Sequence, residues 1–153
     1  MHVLSWSDGV ACAVGMRQAV MAPEPETVLV AEDDDELRER IAADLRSQGL
    51  RVVEVEDGLE LEDYLTDSFA PGARVARPDL VVSEARMPGV SGLTVLRHLR
   101  EGASALPFIV LSPEGDADSF EEAETLGAEY VVEKPFAVED LRLVVLDTEV
   151  ASR

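Results

Sequence analysis

The organisation of this chain can be worked out from one stretch, PDLVVSEARMPGVSG, which covers residues 78–92. It begins with an apolar run, Leu80 to Val82, and passes through a Met-Pro-Gly turn to Ser91, a residue type that favours the start of a helix. A short apolar run followed by a turn and a helix is typical of a buried parallel strand. Glu84 comes at the carboxyl end of that strand. Burying a carboxylate is costly, so its position points to a function rather than to packing.

The same alternation of strand and helix occurs five times along the chain. Apolar runs predict strands at residues 27–31, 51–55, 80–83, 108–111 and 130–132. Apolar residues at helical spacing predict a helix after each strand, including one of about 58–68 and a last one of 137–148. In the fourth helix, Phe120, Ala123 and Leu126 are expected to face inward, and Ser119 and Glu122 have capping-box spacing within or at the start of the helix. This pattern predicts an α/β fold, a doubly wound five-stranded parallel sheet with five helices.

Length and composition fit a single globular domain. The chain has 153 residues, of which 46% are hydrophobic, and its one cysteine, Cys12, excludes an internal disulfide. No apolar run approaches the ~20 residues that span a bilayer, so we expect no membrane anchor and a cytoplasmic protein. Pro23 and Pro25 separate a flexible N-terminal extension, residues 1–26, from one domain at residues 27–150. The formal net charge of −19 argues against nucleic-acid binding, which depends on Lys and Arg.

Polar and charged residues fall at the ends of four of the predicted strands. Glu32 and Asp33 follow the first strand, Glu84 the third, Ser112 the fourth and Lys134 the fifth. Because the carboxyl ends of parallel strands meet at one edge of a sheet, these side chains are expected to share one site. Carboxylate oxygens of this kind suit Mg²⁺.

The chain from Thr27 to about Thr148 resembles the response-regulator receiver domain of two-component signalling. The motifs that carry the resemblance are VLVAEDD, PDLVVSEARMPGVSG, FIVLS and EKPF, in this order and spacing. Any one of them alone would be weak, but together they are specific. The resemblance implies the receiver, flavodoxin-like form of the doubly wound fold, in bacterial phosphorelay signal transduction.

The resemblance also assigns roles to the residues at the sheet edge. It implies that Glu32 and Asp33 hold Mg²⁺ together with the residue at the acceptor position, Glu84, and the backbone carbonyl of Arg86. It also implies further roles at the ends of the fourth and fifth strands: Ser112 hydrogen-bonds a phosphoryl group, Lys134 is the invariant lysine of the family, and Pro135 is a candidate cis-proline.

The chain departs from the receiver pattern at two positions. Receivers accept phosphate on an aspartate, whereas this chain has Glu84, and the switch position, often Tyr or Phe, is Val131. Strand alternation puts the neighbouring Tyr130 on the other face of the sheet. Glutamate is one methylene longer, so its carboxylate approaches the place of an aspartyl phosphoryl group, where Ser112 and Lys134 could donate hydrogen bonds to it. The mimicry is partial, because a phosphoryl group carries nearly two charges.

Three interpretations of Glu84 stay open at this point. It could hold the domain near its signalling-competent state as a phosphomimetic, it could mark a decayed pseudo-receiver that survives as a scaffold, or it could still accept phosphate. Electrostatics adds a second question, because three carboxylates would crowd around Lys134. Two like charges ~4 Å apart repel by about 4 kcal/mol at an effective dielectric near 20. A divalent cation, a bound proton, or a turn of Glu84 toward Lys134 would each relieve the repulsion.

The function predicted from these residues is that of a non-enzymatic, stand-alone receiver-like signalling module. We expect it to act through protein contacts, with a histidine kinase or a downstream effector as partner, and independently of phosphorylation. A homodimer could form through the last two helices and the fifth strand. The alternatives are a phosphorylatable response regulator in a phosphorelay and a small phosphohydrolase of the haloacid dehalogenase type, with Asp33 as nucleophile and Asp35 as general acid.

Overall fold

The computed structural model describes residues 26–151, which form one five-stranded parallel sheet flanked by five helices. The strands are β1 (Thr27–Ala31), β2 (Arg51–Val55), β3 (Leu80–Glu84), β4 (Phe108–Ser112) and β5 (Tyr130–Glu133). The helices are α1 (Asp35–Ser47), α2 (Gly58–Phe69), α3 (Gly92–Glu101), α4 (Ala117–Thr125) and α5 (Val138–Ala151). The predicted fold class is therefore confirmed. The predicted extension, residues 1–26, lies outside the described residues except for Glu26.

The sheet has the strand order β2-β1-β3-β4-β5, with every neighbouring pair parallel. The three central strands are buried along their whole length because helices cover both faces of the sheet. One apolar cluster joins the sheet to α2, α3 and α4, and a second joins it to α1 and α5. The order reverses between β1 and β3, which places a crevice at the carboxyl ends of these two strands.

Four helices begin with a side-chain cap that satisfies a free backbone N–H. Ser91 caps α3 by accepting a hydrogen bond from the N–H of Thr94, as its position predicts. Asp34 and Asp57 cap α1 and α2 in the same way. These caps set the direction in which each helix leaves the sheet edge.

The prediction for the fourth helix was right for Ala123, which is buried, and wrong for Phe120, which is 41% exposed. The helix begins at Ala117 with Asp116 as its cap, which accepts from the Ser119 N–H at 3.1 Å. Ser119 therefore lies within the helix and faces the core. Three strands are also longer than predicted: β3, β4 and β5 each extend by one residue. Glu84 and Ser112 are therefore strand residues.

No helix in the described part of the chain, residues 26–151, has the length and apolar character needed to cross a membrane.

Candidate functional site

The carboxyl edge of the sheet brings together residues from four strands that are far apart in sequence. Glu32 follows β1, Glu84 ends β3, Ser112 ends β4 and Lys134 follows β5. Glu32 is 0% exposed and Glu84 only 3%, so two carboxylates are buried side by side in the crevice. Such burial requires a compensating charge.

Lys134 supplies that charge. Its Nζ lies 3.1 Å from Oε1 of Glu32 and 2.5 Å from Oε2 of Glu84. Of the three ways predicted to relieve the crowding, the structure therefore has the turn of Glu84 toward the lysine. The carboxylate of Glu84, at the end of β3, is therefore in direct contact with the ammonium that follows β5.

The surroundings of Glu32 and Lys134 shift the pKa of each of these two residues. The pKa of Glu32 is raised to about 7, chiefly by burial and then by the charge of Glu84, although the Asp34 N–H and Lys134 oppose the rise. Burial alone would lower the pKa of Lys134, but the hydrogen bonds and charges of Glu84 and Glu32 outweigh it, so that pKa is raised. Lys134 therefore stays charged, and Glu32 titrates close to neutral pH.

The acidic residues that follow β1 differ in their surroundings. Glu32 points inward and its Oε2 accepts a hydrogen bond from the Asp34 N–H at 3.1 Å. Asp33 is exposed, and the structure places it outside the buried pair. Asp35 binds the guanidinium of Arg38 at 2.7 Å, while Nη1 of Arg38 donates to the carbonyl of Glu32 at 2.8 Å. The buried Arg38 thus fastens the turn that carries Glu32, a role that the sequence pattern did not reveal.

Ser112 and Lys134 are linked through the backbone. The Lys134 N–H donates to the Ser112 carbonyl at 2.8 Å, which extends the pairing of β4 and β5 to the site. The Ser112 hydroxyl is buried and donates to the Pro113 carbonyl at 3.4 Å, so its partner is backbone and not the carboxylate of Glu84. The Lys134–Pro135 peptide bond is cis.

The loop after β3 is held by contacts that sequence reasoning missed. The Arg86 side chain is exposed and points away from the buried carboxylates; its Nε lies 2.5 Å from Oδ2 of Asp116, the cap of α4. Hydrogen bonds from Arg86 and Ser119 hold the pKa of Asp116 well below its usual range. The Arg86–Asp116 pair therefore joins two loops at the rim of the site. The sequence signals for this ion pair are weak: an Arg two residues after β3 and an Asp in the loop after β4.

Close backbone approach also shapes this loop. A Cβ built on Gly92 would lie 2.1 Å from the Glu84 carbonyl oxygen and 2.5 Å from Oγ of Ser83. Gly58 meets Val90 as closely, since its Cβ would lie 1.7 Å from the Val90 carbonyl oxygen. Both glycines let helices α2 and α3 begin directly against the segment that follows Glu84.

Val131 and Tyr130 lie on opposite faces of β5, as strand alternation predicts. Val131 is partly buried against the apolar cluster of α2, α3 and α4. The hydroxyl of Tyr130 donates to a carboxylate oxygen of Asp147 on α5. The ring at this edge of the sheet is therefore attached to α5 and does not occupy the Val131 position.

The resemblance to receiver domains implies a bound Mg²⁺, and the residues here fit that role only in part. Oε1 of Glu32 and Oε2 of Glu84 are buried carboxylate oxygens, a ligand type that suits Mg²⁺. However, the ammonium of Lys134 lies against both, and Asp33 is exposed. Residues 26–151 contain no group of three or more His, Cys, Asp or Glu side chains placed to hold a metal. The predicted ligand set is not assembled in this arrangement, and Mg²⁺ binding stays a prediction.

The family of this chain follows from its similarity to known proteins. A family model described as the response regulator receiver domain matches residues 28–146. The chain belongs to the response regulator receiver family. Such domains are signal-transduction modules of bacterial two-component systems and are generally not enzymes.

Curated relatives of this receiver include longer regulatory proteins. It is 33% identical over 120 residues to the probable transcriptional regulatory protein TcrX of Mycobacterium tuberculosis, an alignment covering 78% of this chain and 48% of the relative. It is 36% identical over 114 residues to the transcriptional regulatory protein FixJ of Azorhizobium caulinodans, covering 74% and 50%. The receiver thus spans about half the length of the curated relatives it matches.

Solved structures agree with the fold. A response regulator receiver protein from Pseudomonas putida superposes with a TM-score of 0.70 at 28% identity, covering 82% of this chain and 99% of the other. A Francisella response regulator receiver domain superposes with a TM-score of 0.73 at 23% identity, covering 84% and 99%.

Proposed function

We propose that this receiver transmits a signal through protein contacts without phosphorylation of Glu84. The observation that carries the proposal is the 2.5 Å contact between Oε2 of Glu84 and Nζ of Lys134. A carboxylate in contact with a lysine ammonium is stabilised as an anion and already has the cation that a phosphoryl group would need. In this proposal the carboxylate of Glu84 occupies the acceptor position and also supplies negative charge of the kind that a phosphoryl group would bring.

The longer side chain also works against phosphoryl transfer. Phosphoryl transfer depends almost entirely on positioning, and a displacement of about 1 Å can reduce the rate about 10²-fold. The carboxylate of Glu84 has moved one methylene away from the end of β3 and toward β5. In this proposal Glu84 stays paired with Lys134 and keeps the crevice in one conformation. The protein that binds this conformation is a histidine kinase or a downstream effector.

A second candidate is a phosphorylatable response regulator in a phosphorelay, which membership of the family favours. In that case Glu84 would have to leave Lys134 and present its carboxylate to the donor. A phosphohydrolase receives less support, because the Asp35 proposed as general acid is bound to Arg38 and the Asp33 proposed as nucleophile is exposed outside the buried pair.

The test is to incubate wild-type protein, Glu84→Asp and Glu84→Gln with acetyl phosphate and MgCl₂ and to record intact masses. We expect no phosphoryl adduct on the wild type or on Glu84→Gln, and one phosphoryl group on Glu84→Asp, because aspartate withdraws the carboxylate toward β3 and frees Lys134. Peptide mapping would locate the group. The Gln variant matches the length of glutamate and controls for acylation elsewhere.

A phosphoryl adduct on wild-type Glu84 would overturn the proposal and make this a working response regulator with an unusual acceptor. An unmodified Glu84→Asp protein would also count against it, since the block would then lie beyond Glu84, in a crevice that has lost its function more widely. Steady hydrolysis of a phosphomonoester by the wild type, lost in Asp33→Asn, would establish the phosphohydrolase instead.

A further inference from the structure

Helices α2 and α3 lie side by side on one face of the sheet, with an open groove of about 380 Å³ between them. Its apolar lining comes from both helices and consists of Leu65, Phe69, Val95 and Leu99. Phe69 is 36% exposed. Leu59 lies two helical turns before the groove residue Thr66, on the same side of α2, and is 57% exposed. Exposed apolar surface therefore extends along most of the length of α2.

The groove is acidic as well as apolar. Of the described residues that line it, Glu62 and Asp63 are acids and none is a lysine or an arginine. Oε2 of Glu62 lies 2.6 Å from Nδ1 of His98, across the groove on α3. Asp63 is exposed and makes no ion pair with another described residue. An occupant with apolar side chains and one cation would match this lining in both respects.

The chain that precedes β1 joins the sheet close to the ends of these two helices. Thr27 begins β1 at the amino edge of the sheet, and its N–H donates to Oδ2 of Asp79 at 2.8 Å, in the loop between α2 and β3. Helices that connect parallel strands run back to the amino edge, so Phe69 and Glu101, the last residues of α2 and α3, lie at that edge too. Residues 1–25 are therefore attached near one end of the groove.

Residues 10–21, VACAVGMRQAVM, have the composition that the groove requires. Nine of these twelve residues are apolar, and Arg17 is the one charged residue among them. Cys12, Met16 and Val20 recur at a spacing of four, which is typical of one face of a helix. As a helix, twelve residues would be about 18 Å long, and the ten helical steps from Leu59 to Phe69 cover about 15 Å. Segment and groove agree in length as well as in chemistry.

The connection between the segment and β1 is long enough. Residues 22–26, APEPE, contain two prolines. Proline-rich segments extend by about 3.1 Å per residue, so these five residues cover about 16 Å. A helix with its side chains is about 10–12 Å thick, and this is the layer that the connection must cross from the sheet to the outer side of α2 and α3.

We propose that residues 10–21 bind in the groove between α2 and α3 of the same chain, with their apolar face on the groove lining and Arg17 beside Asp63. Binding within one chain is favoured over binding of a second copy or another protein, because a short linker gives the segment an effective concentration on the order of mM. The inference goes beyond the proposed function and gives residues 10–21 a binding site in place of the flexible extension predicted from the sequence.

A spin label on the segment tests the proposal in the full-length protein. Cys12 is the one cysteine of the chain, so Cys12→Ser with Gln18→Cys moves the single thiol to the side of the segment opposite Met16. Amide signals of the isotope-labelled protein are compared with the label oxidised and reduced. A second sample mixes spin-labelled protein without isotope and isotope-labelled protein without a spin label, which detects binding between copies.

Variants of the segment test its apolar face. Met16→Asp with Val20→Asp places two charges against the groove lining, so the broadening of α2 and α3 signals by the label should be lost. Ala11→Asp with Gly15→Asp is the matched control, because it adds the same charge on the other side of the segment. This control should keep the broadening.

Variants of the groove test the contact between charges. Asp63→Lys places a cation beside Arg17, so the broadening should become weaker. Asp67→Lys is the same substitution at an exposed α2 residue outside the groove lining and should leave the broadening unchanged.

We expect the label to broaden the signals of residues 62–69 and 95–99 in the first sample and to have no effect in the mixed sample. Broadening that is even over the described residues, or confined to the neighbours of Thr27, would overturn the proposal, as would equal effects of a variant and its matched control. Broadening of the groove signals in the mixed sample would also overturn it and assign the groove to a second copy. Unbroadened α2 and α3 signals would leave the groove to a separate protein. None of these outcomes depends on whether Glu84 accepts phosphate.

Discussion

At the scale of single residues, the site consists of two buried carboxylates that share one lysine ammonium. Lys134 contacts Glu84 more closely than Glu32, at 2.5 Å against 3.1 Å. Removing one partner of a buried ion pair leaves the other charge uncompensated, which is more damaging than the pair is stabilising. Replacement of Lys134 would therefore affect the fold as well as the site, and substitutions of the carboxylates are the more informative experiments.

The raised pKa of Glu32 leads to a pH dependence of stability. Its pKa rises from 4.5 to about 7 in the folded chain, chiefly through burial and then through the charge of Glu84. Between these values the folded state binds a proton that the unfolded state has released, so the free energy of unfolding should fall as pH rises from about 5 to about 7. Urea unfolding at several pH values in EDTA measures this slope.

Substitution of Glu32 identifies the source of that slope. Glu32→Gln removes the titrating group while keeping its size, so the decline between about pH 5 and pH 7 should become shallower. Glu39→Gln, an exposed acid on α1, should leave the slope in place because Glu32 is still present. Equal slopes in the wild type and Glu32→Gln would show that repulsion among other acids, and not Glu32, controls the pH dependence.

At the scale of elements, the start of α3 against the end of β3 is the tightest junction near the site. Gly92→Ala would drive a methyl group into the Glu84 carbonyl oxygen, where the Cβ would lie only 2.1 Å away. The helix must then shift, and we expect a loss of about 1–3 kcal/mol in the free energy of unfolding, as is usual for overpacked positions. Urea denaturation provides the measurement.

Gly102→Ala at the other end of α3 is the matched control. Its φ is −82°, and an added Cβ would come no closer than 3.5 Å to the His98 carbonyl oxygen, an ordinary contact. We expect a change within about 0.5 kcal/mol of zero. If both variants lose the same stability, the effect belongs to glycine in general and not to the junction with Glu84.

Helix starts also show how far local sequence reasoning extends. Ser91 was predicted as the cap of α3 because a turn precedes it and apolar periodicity follows it. The cap of α4 was missed because Ser119 and Glu122 have the spacing of a capping box, while Asp116 stands three residues earlier in an acidic loop. Asp116 prevails because it accepts hydrogen bonds from both the N–H and the hydroxyl of Ser119 and also binds Arg86.

At the scale of the whole molecule, the net charge of −19 opposes compactness. Screening by salt should therefore stabilise the fold, with the free energy of unfolding rising on the order of 1 kcal/mol between about 0.05 and 0.5 M NaCl. Denaturant unfolding at each concentration tests this, and Glu114→Gln combined with Glu121→Gln should reduce the salt dependence. Stability that is flat or falls with salt would mean that the ion pairs dominate over the excess of acids.

Some of the site could be predicted from the sequence and some could not. Burial of Glu32 and Glu84 follows from their position directly after or at the end of apolar strands. The exposure of Asp33 could not be read in the same way, because neighbouring residues at a strand end leave in different directions. Arg38 and Arg86 resemble ordinary surface arginines in sequence, and only their partners, the Glu32 carbonyl and Asp116, distinguish them.

The sequence by itself determined the order of strands and helices, the parallel sheet and the edge at which the charged residues collect. These depend on periodicity and on chain order, both of which are local properties. Only the tertiary structure decided that Glu84 reaches Lys134, that Asp33 stays outside and that Glu62 of α2 meets His98 of α3. These outcomes depend on distances of a few ångströms between segments that are distant in the chain.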